Sequence, residues 1–181
     1  MHLKSNSYEQ MKKYCYLLLL ILVLAASVNA QTQWKEINLD EKILVKFPSA
    51  PEKKTANGII NFVAKTKDSV TFTASVIDYQ VIAKIDSAGL AALKDTKGFA
   101  DQLKAGISAQ RKDYELGDVK VDKWRAYTTY QLLGTKSNDN KKLHLIMIII
   151  GSKMYSLSCL VPNQLETKDN EVFLNSLEFI K

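Results

Sequence analysis

The chain has 181 residues, 46% of them hydrophobic, and a net charge of +6 from 25 basic and 19 acidic residues. Arg111 and Arg125 are its two arginines, and its lysines are scattered among acids. Nucleic-acid-binding surfaces usually gather basic and aromatic side chains on one face. This distribution argues against a nucleic-acid partner and indicates a solvated surface of mixed charge.

The N-terminal residues predict export. Lys12 and Lys13 precede an apolar run over residues 14–28, and small residues follow up to Ala30. Basic, apolar and small residues in this order are typical of a secretory signal peptide. The sequence therefore predicts a signal peptide over residues 1–30, cleavage between Ala30 and Gln31, and a periplasmic or secreted protein.

Two further features bear on this segment. Met11 stands directly before the basic pair and is a candidate for the true start. The apolar run is short for a membrane-spanning helix, which needs about 20 residues, so a retained anchor is the less favoured alternative. Residues 31–181 are then expected to form a single domain with no membrane span.

Cysteine content excludes an internal disulfide in residues 31–181, because Cys159 is their one cysteine. Cys159 alternates with Tyr155, Leu157 and Val161 in a strand pattern. This pattern favours a buried, small hydrophobic side chain over a reactive thiol.

The first strands are predicted in pairs. Residues 34–39 and Ile43–Phe47 form a hairpin through Asp40 and Glu41, and Pro48 ends the second strand because proline cannot donate to a sheet. Residues 59–66 and 70–79 form the next hairpin. In the latter strand Val70, Phe72, Ala74 and Val76 alternate onto one face.

A helical period follows over residues 87–112. Ser87 is the predicted N-cap, and Phe99, Leu103 and Ile107 recur on one face. A break is expected near Lys97 and Gly98.

Four strands and a helix complete the predicted order, and the first of these strands, over residues 118–121, is short. Residues 124–133 alternate as one continuous strand, which places Trp124 and Tyr127 on opposite faces. Residues 143–150 and 154–161 form the strongest hairpin, joined by Gly151 and Ser152. Residues 167–179 predict a terminal helix.

Residues 145–150, LIMIII, are apolar at every position. A strand with one wet face would alternate, so both faces of this strand are expected to be covered. The predicted fold is α+β: an α/β/α sandwich in which helices lie on both faces of a central, mostly antiparallel sheet.

Two fragments resemble the PsbP-like superfamily, which includes a photosystem II extrinsic subunit and DcrB-type envelope proteins. The fragments are ILVKFPSAPEKK near the start of the domain and EVFLNSLEF at its end. The resemblance implies an α/β/α sandwich and a role as a non-enzymatic accessory or adaptor. It supplies no functional residue, since no metal or partner motif of the family matches here.

The sequence offers little catalytic chemistry. His144 is the one histidine of residues 31–181, and its strand pattern with Ile146, Ile148 and Ile150 favours a structural role. No catalytic residue, metal site or cofactor is predicted, because zinc sites need several histidine or cysteine ligands and no nucleophile-elbow motif is present.

One cluster is a candidate binding site. It consists of Trp124, Arg125, Tyr127 and Tyr130, and arginine and aromatic residues are enriched at binding hot spots. Cross-strand packing is the alternative interpretation. The sequence as a whole predicts an exported binding or assembly module whose partner is an envelope protein. A hydrolase with an unrecognised site and a carrier of a small apolar ligand are the alternatives.

Overall fold

The computed structural model describes residues 34–136, 138 and 140–181. The predicted signal peptide, Met11 and the cleavage position between Ala30 and Gln31 lie outside this range. Residues Trp34–Lys181 form one compact unit. All of its paired strands are antiparallel, and together with its helices they make an α+β fold.

Across the described ranges, two runs of five strands are separated by three helices and are followed by a helix and a short strand. The first strands are β1 (Lys35–Asn38), β2 (Ile43–Phe47), β3 (Glu52–Ala56), β4 (Ile59–Lys65) and β5 (Thr71–Asp78). The helices that follow are α1 (Tyr79–Ala83), α2 (Ser87–Leu93) and α3 (Lys97–Gln110). The next strands are β6 (Tyr114–Leu116), β7 (Lys120–Trp124), β8 (Tyr127–Lys136), β9 (Lys141–Ile150) and β10 (Lys153–Pro162). The chain continues with α4 (Asp169–Leu174) and β11 (Glu178–Phe179).

The strands form two sheets. Within the described residues the larger sheet has eight strands, in the order β3-β4-β5-β10-β9-β8-β6, and β7 also pairs with β8. The smaller sheet has the order β1-β2-β11. The predicted hairpins β1–β2, β4–β5 and β9–β10 are all present. Gly151 has a φ of 63° at the β9–β10 turn, which glycine adopts without strain.

Strand β9 is buried on both faces. Met147 and Ile149 lie in one hydrophobic cluster with Leu90 and Phe99 of the helices. Ile148 belongs to a second cluster, which includes Phe47, Phe72 and Phe173. The prediction that both faces of this strand are covered is confirmed, because alternate side chains enter different cores.

The two outer layers differ in kind. Helices α2 and α3 cover one face of the large sheet with Leu90 and Phe99. The opposite face packs mainly against the small sheet, through Ile43, Val45 and Phe47 of β2. The α+β class and the antiparallel sheet are as predicted, whereas the second covering layer consists largely of strands.

The terminal helix is shorter than predicted. Helix α4 ends at Leu174 instead of continuing to Phe179. Ser176 ends the helical path, since its hydroxyl donates to the carbonyl of Phe173 at 2.7 Å and accepts the backbone N–H of Lys46 at 3.0 Å. The following residues then pair with β2 as β11.

The predicted helix over 87–112 is divided into α2 and α3, and its break lies at residues 94–96, slightly before the expected position. Asp86, not Ser87, is the N-cap of α2, since its carboxylate accepts the backbone N–H of Gly89 at 2.8 Å. The side chain of Thr96 caps α3 in the same way, through the backbone N–H of Phe99.

The predicted strand over 124–133 is wrong at its start. The chain reverses at Arg125 and Ala126, so that β7 and β8 form a hairpin. Trp124 and Tyr127 are direct cross-strand partners in it. The two side chains therefore share one face, not opposite faces as expected for a continuous strand.

Candidate functional site

Three aromatic rings meet at the end of the β7–β8 hairpin. The ring centroids of Trp124 and Tyr127 are 6.3 Å apart. The ring of Phe179 from β11 lies 5.5 Å from Trp124 and 5.6 Å from Tyr127. All three rings are half-buried and pack against the core formed with the small sheet. We call Trp124, Arg125, Tyr127 and Phe179 the hairpin-tip cluster.

Arg125 is the exposed member of this cluster. Its guanidinium carbon lies 4.7 Å from the centroid of Trp124 and 5.4 Å from that of Phe179. Both distances are within the range of attractive cation–π contacts. The rings therefore fix the position of a cationic group at the surface.

The backbone at Arg125 is unusual. Its φ is 56°, in the left-handed region. A side chain with a Cβ costs about 1 kcal/mol there, and glycine or asparagine is the usual occupant. The turn thus carries an arginine in a backbone conformation that favours glycine or asparagine.

Tyr130 does not belong to the hairpin-tip cluster. Its side chain is fully buried on the other face of the sheet, 5.8 Å from the ring of Phe99. Its hydroxyl donates to the backbone carbonyl of Lys94. Burial and the nearby carboxylate of Asp95 raise the pKa of this phenol. Tyr130 is a core residue of the described fold.

A polar network holds the other face of the hairpin. One carboxylate oxygen of Asp95 accepts hydrogen bonds from Thr128 at 2.6 Å and from Lys123 at 3.0 Å. Lys94 binds the other oxygen at 2.5 Å. Hydrogen bonds from Lys94, Thr128 and Lys123 lower the pKa of Asp95. The loop between α2 and α3 is thereby tied to the hairpin.

Phe179 is not among the predicted site residues, although it contacts every other member of the cluster. It lies far from them in sequence, in a segment whose pattern predicts a helix. The available signal was its position at the apolar end of the chain, in the fragment EVFLNSLEF. Only the pairing of β11 with β2 brings it to the hairpin.

The carboxylate of Asp40 is buried and has a structural role. Asp40 accepts hydrogen bonds from Lys153 at 2.8 Å, from the Tyr155 hydroxyl at 2.6 Å and from the backbone N–H groups of Lys42 and Ile43. Burial acts to raise the pKa of Asp40, but these hydrogen bonds outweigh it and the pKa lies below its ordinary value. The side-chain partners of Asp40 lie on β10 and its backbone partners lie next to it in sequence, so the carboxylate joins the β1–β2 turn to β10.

His144 lies on β9 beside a shallow groove. The groove has a volume of about 310 Å³ and is bordered by Gln131, Leu133, Ile146 and Leu174. Burial and the neighbouring Lys142 lower the pKa of His144, so its imidazole is neutral at pH 7. Among the hydrogen bonds of the described residues, none joins His144 to a serine or an acid. The described part of the chain therefore shows no hydrogen-bonded Ser-His-Asp arrangement around His144.

Cys159 is fully buried in the core of the large sheet. Burial raises the pKa of its thiol far above the ordinary range. Because the thiolate is the nucleophile, this side chain is unsuited to covalent chemistry.

A labelling experiment tests this. With Cys15 replaced by serine, an aromatic disulfide reagent should modify Cys159 only after denaturant is added, because the native thiol is neither ionised nor accessible. Ser108→Cys, at an exposed position of α3, is the positive control and should react at once in the native protein. Native labelling of Cys159 at a rate close to that of the control would contradict its burial.

Metal and membrane features are also limited. Within residues 34–136, 138 and 140–181, no group of three or more His, Cys, Asp or Glu side chains is arranged to hold a metal ion. None of the helices in this part of the chain is long and apolar enough to cross a membrane.

Solved structures establish the fold. The cyanobacterial PsbP protein (CyanoP) from Synechocystis sp. PCC 6803 aligns with 84% of this chain and 95% of its own, with a TM-score of 0.58 and 8% sequence identity. This chain has the PsbP-like fold. The expectation raised by ILVKFPSAPEKK and EVFLNSLEF is confirmed at the level of fold.

Two weaker similarities accompany this one. A Bacteroides thetaiotaomicron protein aligns with 77% of this chain and 45% of its own, at 16% identity and a TM-score of 0.43. A Pseudomonas aeruginosa protein of unknown function aligns over 71% and 82%, at 13% identity and a TM-score of 0.38. No protein-family model and no curated protein matches the sequence. The PsbP-like fold is thus shared without the sequence similarity that would carry a function with it.

Proposed function

We propose that this chain is an exported, non-enzymatic accessory protein of the bacterial cell envelope that binds another envelope protein or assists its assembly. The observation that carries the proposal is the hairpin-tip cluster. It presents an exposed arginine over two aromatic rings, at a turn where arginine is the costlier residue. Arginine, tryptophan and tyrosine are the residues that contribute most to protein–protein binding.

Export is part of the same proposal. It is supported by the order of basic, apolar and small residues up to Ala30, which is typical of a signal peptide. The PsbP-like fold supports an accessory role only by analogy, since one fold hosts several functions. We also propose that α4 and the β1-β2-β11 layer correspond to the second outer layer of the α/β/α sandwich that the resemblance implies.

Carriage of a small apolar ligand is the second candidate function. The groove beside His144 supports it, because Leu133 at its border is 63% exposed. Such a ligand would cover an aliphatic side chain that the fold leaves in solvent.

Site-specific crosslinking in the producing bacterium tests the proposed function. The full-length chain carries the photo-crosslinker p-benzoylphenylalanine in place of Ala126, at the hairpin tip. We expect a discrete crosslinked species with an envelope protein, in which the N-terminal residue of this chain is Gln31. The reason is that the hairpin-tip cluster is the binding surface and that the signal peptide is removed on export.

The control places the same crosslinker at Lys67, which is exposed in the β4–β5 turn and away from the hairpin. Lys67 should yield no such species. An equal pattern of products from both positions would refute a specific interaction, and a chain that still begins at Met1 or Met11 would refute cleavage.

A further inference from the structure

The chemistry of the hairpin tip can be specified further. The guanidinium carbon of Arg125 lies over the rings of Trp124 and Phe179, and the residue is exposed, so its N–H groups are accessible from solvent. Those N–H groups form a planar fork that matches two acceptor oxygens at once. No carboxylate of a described residue pairs with Arg125 (residues 34–136, 138 and 140–181). The fork is therefore unoccupied by the fold itself.

The neighbouring lysines lie beside acidic side chains. Lys123 pairs with Asp95 at 3.0 Å, a carboxylate that it shares with Lys94. Lys46, on the strand next to β11, lies 3.5 Å from Glu178 and 3.7 Å from Glu36. Arg125 differs from them, because no carboxylate of a described residue lies beside it. Anionic membranes and nucleic acids are bound through several basic residues together, whereas a single planar fork suits a single carboxylate.

The rings define what lies beside that carboxylate. Trp124, Tyr127 and Phe179 are half-buried and packed against one another, so they offer a partly exposed apolar surface and do not project as wedges into a bilayer. A protein segment with an acidic residue next to an aromatic or aliphatic residue would satisfy both parts of the cluster.

We propose that the hairpin tip binds an acidic segment of a partner protein, with one Asp or Glu carboxylate held by the N–H groups of Arg125 and an adjacent apolar side chain on Trp124 and Tyr127. This inference rests on the proposed function, since it names the chemistry of the partner at the same site. It also explains why the turn keeps an arginine in a left-handed conformation.

Nuclear magnetic resonance of the ¹⁵N-labelled full-length chain can test the contact directly. The chain has two arginines, so two Nε–H signals are expected, and the Arg111→Lys variant assigns them. The probe is a blocked Gly-Ser peptide with a central Asp-Tyr-Asp. The comparison probe replaces both aspartates by asparagines. We expect the Asp peptide to shift the Nε–H signal of Arg125 and the indole signal of Trp124, with an affinity at least tenfold above that of the Asn peptide.

Two variants of Arg125 separate the effect of its planar N–H fork from the effect of its positive charge. Arg125→Lys keeps the charge and should weaken binding of the Asp peptide at least fivefold. Arg125→Gly should abolish the indole shift while the protein stays folded, because glycine relieves the turn. Arg111→Lys is the matched control, since Arg111 also lies over a ring, 5.4 Å from Tyr114, and it should leave binding unchanged.

Several outcomes would overturn the inference. They are equal shifts with the Asp and Asn peptides, equal shifts of both arginine signals, and tighter binding of inorganic phosphate or of vesicles rich in phosphatidylglycerol than of the Asp peptide. The proposed function is judged separately. A crosslink from position 126 without any preference for the Asp peptide would support the accessory role and refute the binding of a carboxylate. A preference for the Asp peptide without any crosslink would support carboxylate binding and refute the proposed role in the envelope.

Discussion

Replacing Met147 or Ile148 by alanine should lower the free energy of unfolding by about 2–5 kcal/mol in each case. Met147 is 2% exposed and packs in the cluster under the helices. Ile148 is 3% exposed and packs in the cluster shared with the small sheet. Since each truncation leaves a cavity in a different core, two comparable losses are expected. Denaturant unfolding of the two variants measures them.

The control is Leu133→Ala on the adjacent strand β8. Leu133 is 63% exposed, so its truncation should change the stability by less than about 0.5 kcal/mol. A nearly silent Met147 or Ile148 variant would mean that one face of β9 is not a packed core in solution.

Replacing Asp40 by asparagine should also be strongly destabilising. The Asp40 side chain is 8% exposed and holds Lys153 and the hydroxyl of Tyr155. Removing one partner of a buried ion pair costs about 3–5 kcal/mol, because the remaining charge stays desolvated. We expect about 3 kcal/mol, at the lower end of that range, because the side chain of Lys153 is 23% exposed. Thermal or denaturant unfolding at pH 7 gives the value.

The same pair predicts a pH dependence. The pKa of Asp40 is lower in the folded state, so the unfolded chain binds more protons and the stabilisation is complete above the unfolded pKa of about 3.9. It is lost as the pH falls through the folded pKa. The difference between the wild type and Asp40→Asn should therefore be constant from about pH 5 to 7 and shrink at lower pH. Glu41→Gln is the control: its exposed carboxylate also contacts Lys153, yet its loss should leave the unfolding midpoint nearly unchanged. A difference that persists undiminished to pH 2 would contradict the role assigned to the Asp40 charge.

Hydrophobic period and turn composition were sufficient to predict the centre of the sheet. The unbroken run ending at Ile150 can be accommodated only where both faces are covered. Gly151 marks the β9–β10 turn because it adopts a positive φ without cost. These are local signals, and they led to the correct strands and pairing.

The hairpin tip could not be predicted in the same way. Arg125 and Ala126 have none of the composition of a tight turn, so the period-two pattern from Trp124 onward looked continuous. The error in that one turn placed Trp124 and Tyr127 on different faces and grouped Tyr130 with them. Tertiary contacts offset the conformational free energy of the left-handed Arg125, and a local sequence pattern carries no information about such contacts.

The helix predicted over residues 167–179 was too long for a related reason. The residues of EVFLNSLEF suit a helix locally, but Glu178 and Phe179 gain backbone pairing with β2, and Ser176 bonds to the backbone of Lys46. Tertiary pairing overrides a weak helical preference in such short segments. The candidate site was therefore only partly visible, since Phe179 reaches it through this pairing.

The β7–β8 hairpin is held on both faces before any partner arrives, by Asp95 on one side and by Phe179 on the other. Ordering a flexible side chain at an interface costs about 0.5–1.5 kcal/mol of conformational entropy. For Trp124 and Tyr127, which are half-buried and packed against Phe179, part of that loss is already incurred in folding. A partner that docks here would spend little of its binding free energy on ordering the surface, so even a small contact area could be recognised.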